Sequence, residues 1–122
     1  MNKIILPSIE EIIEINEKLG YNVVNRGALD FILAKIKSRK PSKDLKKNIS
    51  FAAANLWYEI ITQHPFLDGN KRTAAESMKH LIETNNFGLE IPMNGIIYIS
   101  LKIANNDITF NNLIRIIYEK LK

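Results

Sequence analysis

The chain has no cysteine. That absence removes thiol nucleophiles, cysteine-ligated zinc and disulfide scaffolds together. Proline and glycine are scarce, 4 and 5 in 122 residues, which excludes a low-complexity or linker-rich chain. No long apolar run is present. The longest, Gly95 to Leu101, stops at Lys102, far short of the roughly 20 residues that span a bilayer. The first residues offer one lysine and a short apolar run before Pro7, so no secretory signal is expected. With no cysteine and no such signal, the expected location is the cytoplasm. What is present is ordinary for a globular protein: 46% hydrophobic and 25% charged residues. Residues 1–122 are long enough for one domain with its own core.

Charge is unevenly placed. The net charge is +4, but the stretch from Lys35 to Lys47 alone carries +6, from seven bases (Lys35, Lys37, Arg39, Lys40, Lys43, Lys46, Lys47) against Asp44. The remaining residues therefore sum to −2. A local positive field attracts phosphates, nucleic acid or an acidic partner. No aromatic residue interleaves with these bases, which argues against base stacking and direct nucleic-acid binding. The plainer reading is a solvated connection between two helices.

Apolar periodicity is helical almost throughout. Ser8 and Glu11 form a capping box ahead of the stripe Ile9, Ile12, Ile13, Leu19, and Gly20 stops it. Leu29, Ile32, Leu33 and Ile36 mark a second helix to about Arg39, closed by Pro41. Ser42 or Asp44 caps a third, with Leu45, Ile49, Ala52, Ala53, Leu56 and Ile60 on one face and Trp57 beside them. The small residues Ala52 to Ala54 predict close approach of a neighbour, and this helix reads as the central one. A fourth starts near Asn70 and runs through Ala74, Met78, Leu81 and Ile82. Leu89 to Ile91 is short and extended. Pro92 starts a fifth helix, and Thr109 caps a sixth. The expected architecture is a single all-α domain of about six helices.

One segment resists a purely structural account: His64-Pro-Phe-Leu-Asp-Gly-Asn-Lys-Arg-Thr-Ala74. A loop ending in Gly69 runs straight into a helix N-terminus. Amide groups there lack intrahelical partners, and the helix dipole adds partial positive charge, so the end is suited to phosphate. Gly69 permits positive φ. Lys71 and Arg72 place two cations in the first turn, where they are unfavourable unless an anion offsets them. Asp68 supplies one carboxylate, the usual protein share of a nucleotide-bound Mg²⁺. Asn70 can donate to a phosphate oxygen. His64 suits a general base acting on a hydroxyl. Phe66 is expected to be buried and to pin the loop. Singly, each has a bland explanation: a loop hydrogen bonder, a helix cap, surface bases. Together they point to phosphoryl or nucleotidyl transfer to a hydroxyl. His80 reads as a surface or boundary histidine, and Trp57 and Tyr58 as core and rim.

This segment resembles the Fic/Doc family, whose signature is His-Pro-Phe-x-x-Gly-Asn followed by a basic stretch. Every position from His64 to Ala74 except Leu67 matches. Lys71 stands where AMP-transferring members carry a second glycine, which is similar to the Doc (death-on-curing) toxin branch. That resemblance implies a toxin that uses ATP and Mg²⁺ to phosphorylate a threonine of elongation factor Tu, and an antitoxin of the Phd kind that neutralises it in trans. It implies His64 as base, Asp68 as the Mg²⁺ carboxylate, Asn70 and Arg72 on nucleotide phosphates, and Lys71 filling the anion nest beside Gly69. It also implies an extended flap near Tyr21–Gly27. Thr62 stands where some Doc proteins carry arginine. No Ser/Thr-x-x-x-Glu-Gly/Asn inhibitory motif is present, so inhibition is expected from a separate chain. The alternatives are a Fic-type adenylyltransferase and a non-catalytic basic binding module.

Overall fold

Helix starts are set by side chains that take up the first free amides. In the computed structural model, which describes residues 3–20 and 23–122, Ser8 and Glu11 close the capping box at α1 (Ile9–Lys18). Asn25 accepts from the Ala28 amide to begin α2 (Arg26–Lys37). Asp44, and not Ser42, caps α3 (Leu45–Gln63) through the amides of Lys46 and Lys47. Neither cap nor side chain holds the start of α4 (Asn70–Thr84), which follows Gly69. Pro92 precedes α5 (Met93–Ala104), and Thr109 caps α6 (Phe110–Lys120). The all-α, six-helix expectation is therefore met. Among the described residues there is no strand, only two isolated antiparallel bridges, Val24 with Phe66 and Leu89 with Leu121. No described helix is long and apolar enough to cross a membrane.

The second helix contains its whole apolar stripe and ends at Lys37, near the expected Arg39. The Ser38 amide makes the last helical bond, to Ala34 O, its hydroxyl donates to Lys35 O at 3.0 Å, and the Arg39 amide closes the end on Ile36 O at 3.3 Å. α1 stops at Lys18, and Gly20 follows with φ +98°.

α3 runs through the middle and contacts α2, α4, α5 and α6. Its burial is nearly complete from Asn48 to Ile61, Phe51 and Tyr58 excepted. α3 and α4 pack most extensively, and the residues at their seam are small: Ala52, Ala53 and Ala54 on one helix, Thr73, Ala74, Ala75 and Ser77 on the other, all buried. Short side chains let two backbones approach. Trp57 is fully buried, and its Nε1 donates to Ser100 Oγ of α5 at 2.9 Å, so its one polar atom is satisfied. Truncating such a residue costs about 3–5 kcal/mol. The extended Leu89–Ile91 segment finds its partner at the other end of the chain. Glu90 N donates to Lys120 O at 2.8 Å and Lys122 N to Gly88 O at 2.9 Å.

Several bases of the Lys35–Lys47 stretch are absorbed by packing. Lys35 Nζ lies 3.2 Å from Glu59 of α3, a buried carboxylate. The Arg39 guanidinium stacks 4.0 Å from the centre of the Phe51 ring, and Lys46 Nζ lies 4.6 Å from that of Tyr118. These contacts fix the α2–α3 connection against the bundle.

Candidate active site

α3 ends at His64, which adopts φ 50°, ψ 57°. Pro65 follows, and a residue before proline is steered away from the right-handed helical region. A left-handed conformation is uncommon for a residue with a side chain, though histidine tolerates it better than most. The result carries the imidazole out of the bundle axis, and His64 is exposed. Pro65 and Phe66 turn inward and are buried, with Phe66 only 3% exposed. The expectation that Phe66 pins the loop is met.

Two sets of hydrogen bonds hold this loop. Asn70 closes it from the α4 side: Phe66 N donates to Asn70 Oδ1 at 3.0 Å, and Asn70 Nδ2 donates to Phe66 O at 2.9 Å. The Asn70 amide was expected on a phosphate. Here it first serves the loop, and one N–H of Nδ2 remains beyond that bond. The segment Val23–Asn25 holds the other side. Asn25 N donates to Pro65 O at 2.6 Å and Leu67 N to Val23 O at 3.1 Å, around the Val24–Phe66 bridge. The flap expected over Tyr21–Gly27 is thus extended at Val23–Asn25, whereas Arg26 and Gly27 already belong to α2. Tyr21 and Asn22 lie outside the described residues.

Past the loop tip, where Leu67 is 78% exposed, the chain reaches Asp68 and Gly69. Gly69 has φ 76°, as its place in the turn requires. Asp68 is exposed, and its Oδ1 accepts from the Gly69 amide at 2.8 Å. Asp68 does not cap α4. Gly69 occupies the cap position and offers no side chain, so the first turn of α4 receives no side-chain acceptor. Lys71 and Arg72 stand exposed in that uncapped turn. The donor set suits a Mg²⁺–nucleotide better than a protein-only metal cage. It has one carboxylate, and no cluster of three or more His, Asp or Glu occurs among the described residues.

The predicted site residues lie on one continuous turn but border two open hollows. His64 lines one of about 460 Å³ with Val23, Val24, Asn25 and Leu67. Arg72 lines another of about 580 Å³ between α1 and α4, with Lys18, Lys79 and His80. His80 is half-buried, as a boundary histidine should be, and its Nε2 lies 3.5 Å from Glu11 Oε2.

α1 and α2 brace the turn in ways the motif does not reveal. Arg26, directly after the flap, pairs with Glu10 of α1, and that hydrogen bond holds the Glu10 carboxyl below its ordinary range. The Ser8 amide does the same to Glu11, aided by His80. Asn16 of α1 reaches the turn itself: its Nδ2 donates to Asp68 O at 3.1 Å and to Thr73 Oγ1 at 2.9 Å. The sequence offered one signal for Asn16, a lone polar residue on an apolar stripe.

A family model described as Fic/DOC family matches residues 6–82, well over half of the chain. The chain belongs to the Fic/DOC family. The match runs from the start of the structure's first helix through nearly all of α4, and so contains the whole His64–Arg72 turn, the flap and Asn16. Members of this family transfer nucleotide-derived groups onto proteins, generally with ATP and Mg²⁺. No curated protein and no solved structure matches the chain.

Proposed function

We propose that this Fic/DOC chain transfers the γ-phosphate of ATP to a threonine hydroxyl of elongation factor Tu, arresting translation in the cytoplasm. The observation that carries the reading is the arrangement of one turn. An exposed imidazole stands at its start, and an uncapped helix N-terminus with Gly69, Lys71 and Arg72 stands at its end. The resemblance to the Doc branch, through Lys71 in place of a glycine, favours phosphate over AMP as the transferred group.

Each residue has a defined task in this scheme. His64 takes the proton of the attacking hydroxyl as the new O–P bond forms. The amides of the first turn of α4, with Arg72, balance phosphate charge. Asp68 would hold Mg²⁺, and bound Mg²⁺–ATP would supply the phosphoryl group, with ADP as the leaving group. Asn70 and Phe66 keep His64 and Gly69 at a fixed separation. Val23 and Leu67, both exposed, border His64 and offer an apolar rim to the protein substrate. Control is assigned to a separate antitoxin of the Phd kind, since the chain carries no inhibitory motif of its own.

The test is the intact mass of elongation factor Tu after incubation with the protein, ATP and Mg²⁺. A gain of about 80 Da is expected, the mass of one phosphoryl group. A gain of about 329 Da would replace this reading with AMP transfer, and no gain would remove the target.

A further inference from the structure

Asn16 stands on the inner face of α1, fully buried, one turn beyond Ile12. Its Nδ2 uses both hydrogens, one on the carbonyl of Asp68 and one on the hydroxyl of Thr73. The Asp68 carbonyl can only accept, so it fixes which way the amide points. Oδ1 is left buried with no partner. An unpaired buried carbonyl is destabilising, and an apolar side chain of the same size would avoid that cost but leave the Asp68 carbonyl and the buried Thr73 hydroxyl without this donor. Filling space therefore does not account for an asparagine here. Tying the two ends of the turn does. Asp68 and Thr73 bracket Gly69, Asn70, Lys71 and Arg72, so a single amide clamps both ends of the anion-facing span. Asn70 ties the same span to Phe66 from the other side.

We infer that Asn16 is a positioning residue: it holds the Asp68–Gly69 turn against the first turn of α4, so that the Asp68 carboxylate and the α4 amides address one Mg²⁺–nucleotide. The inference rests on the proposed phosphoryl-transfer reading for its ligand, and on geometry alone for the clamp. α1 becomes part of the site through a residue that acts by placing the turn.

The test uses the full chain, with Asn16→Leu as the main variant. A second variant, Asn16→Ser, is polar but too short to reach both partners. Calorimetric titration with ATP gives the Mg²⁺ concentration needed for half-maximal binding, amide hydrogen exchange reports on Gly69 to Thr73, and thermal unfolding reports on the whole fold. Both variants should need about tenfold more Mg²⁺ or above, as loss of a group that orients a metal carboxylate does. Both should exchange faster at Gly69 to Thr73, and Asn16→Leu should unfold below the native temperature, since the Asp68 carbonyl and the Thr73 hydroxyl lose their donor. In an Asp68→Ala background, adding Asn16→Leu should change ATP binding less than it does in the native chain, because the part of the effect that passes through that carboxylate is gone. Unchanged exchange with an unchanged Mg²⁺ requirement would overturn the inference. So would an equal loss with and without the Asp68 carboxylate, which would mark Asn16 as support for the fold only. If the native chain binds no ATP, the phosphoryl-transfer reading falls, and the exchange data alone decide whether Asn16 holds the turn.

Discussion

α3 and α4 begin in opposite ways. Asp44 closes the start of α3: its carboxylate accepts from the Lys46 and Lys47 amides and from the Tyr118 hydroxyl at 3.0 Å. Partial burial pushes its carboxyl up, but the Tyr118 hydroxyl and the two amides outweigh this and hold it below its ordinary value. That start is surrounded by the densest positive charge in the sequence. α4 starts with fewer bases, Lys71 and Arg72, and with no capping side chain. Charge density alone points to the first end, and hydrogen-bond satisfaction points to the second. A capped N-terminus has already met its need for an acceptor, whereas an uncapped one is completed by water or a ligand. Three of the seven Lys35–Lys47 bases, Lys35, Arg39 and Lys46, serve packing, through Glu59, Phe51 and Tyr118.

Substitutions at the two ends should therefore separate function from stability. His64→Ala is expected to have the largest effect, lowering group transfer by a hundredfold or more, on the order of what a general base contributes. Transfer is followed by phosphate incorporation, with circular dichroism confirming an unchanged helical fold. If transfer survives, the exposed imidazole is not the base. Asn70→Ala comes next. It unties both bonds to the Phe66 backbone, and about tenfold of activity should go with the geometry of the loop. Amide exchange at Phe66 should rise, and unchanged exchange would show that the loop is held by Val23–Asn25 alone.

Asp44→Ala should do the reverse of these. It removes a cap that serves two amides and should lower the midpoint of denaturant unfolding, with ATP binding unchanged. A loss of ATP binding would show that the two ends are coupled. The smallest effect is a pH dependence. The folded Glu11 carboxyl lies below its ordinary 4.5, chiefly through the Ser8 amide. Its contribution is present above that value and is lost as pH falls through the folded one. Glu11→Gln should lower the melting temperature at neutral pH by about 1 °C and converge with the native chain in acid, so that its acid limb is shallower. An identical acid limb would remove Glu11 from the account.

The helices were legible because their signals are local. Stripes at 3.6-residue spacing, Ser8 with Glu11, Pro92 and Thr109 each lie within a few residues of the end they mark. Where the reading strayed, another part of the chain had intervened. The loop's backbone engaged an Asn70 amide that looked available for phosphate. The flap proved shorter than its expected span because Asn25 is needed as a cap.

The sequence by itself determined a bundle of helices and the order of groups along one turn, from His64 to Arg72. Both are properties of neighbouring residues and need no partner elsewhere to be read. Only the tertiary structure decided that the Lys35–Lys47 bases meet aromatic rings and a buried glutamate. It also decided that Val23–Asn25 pairs with the loop and that Asn16 reaches the turn. Those contacts join residues tens of positions apart, brought together by burial of the small-residue seam between α3 and α4. Periodicity and spacing carry no trace of a bond formed across such a distance.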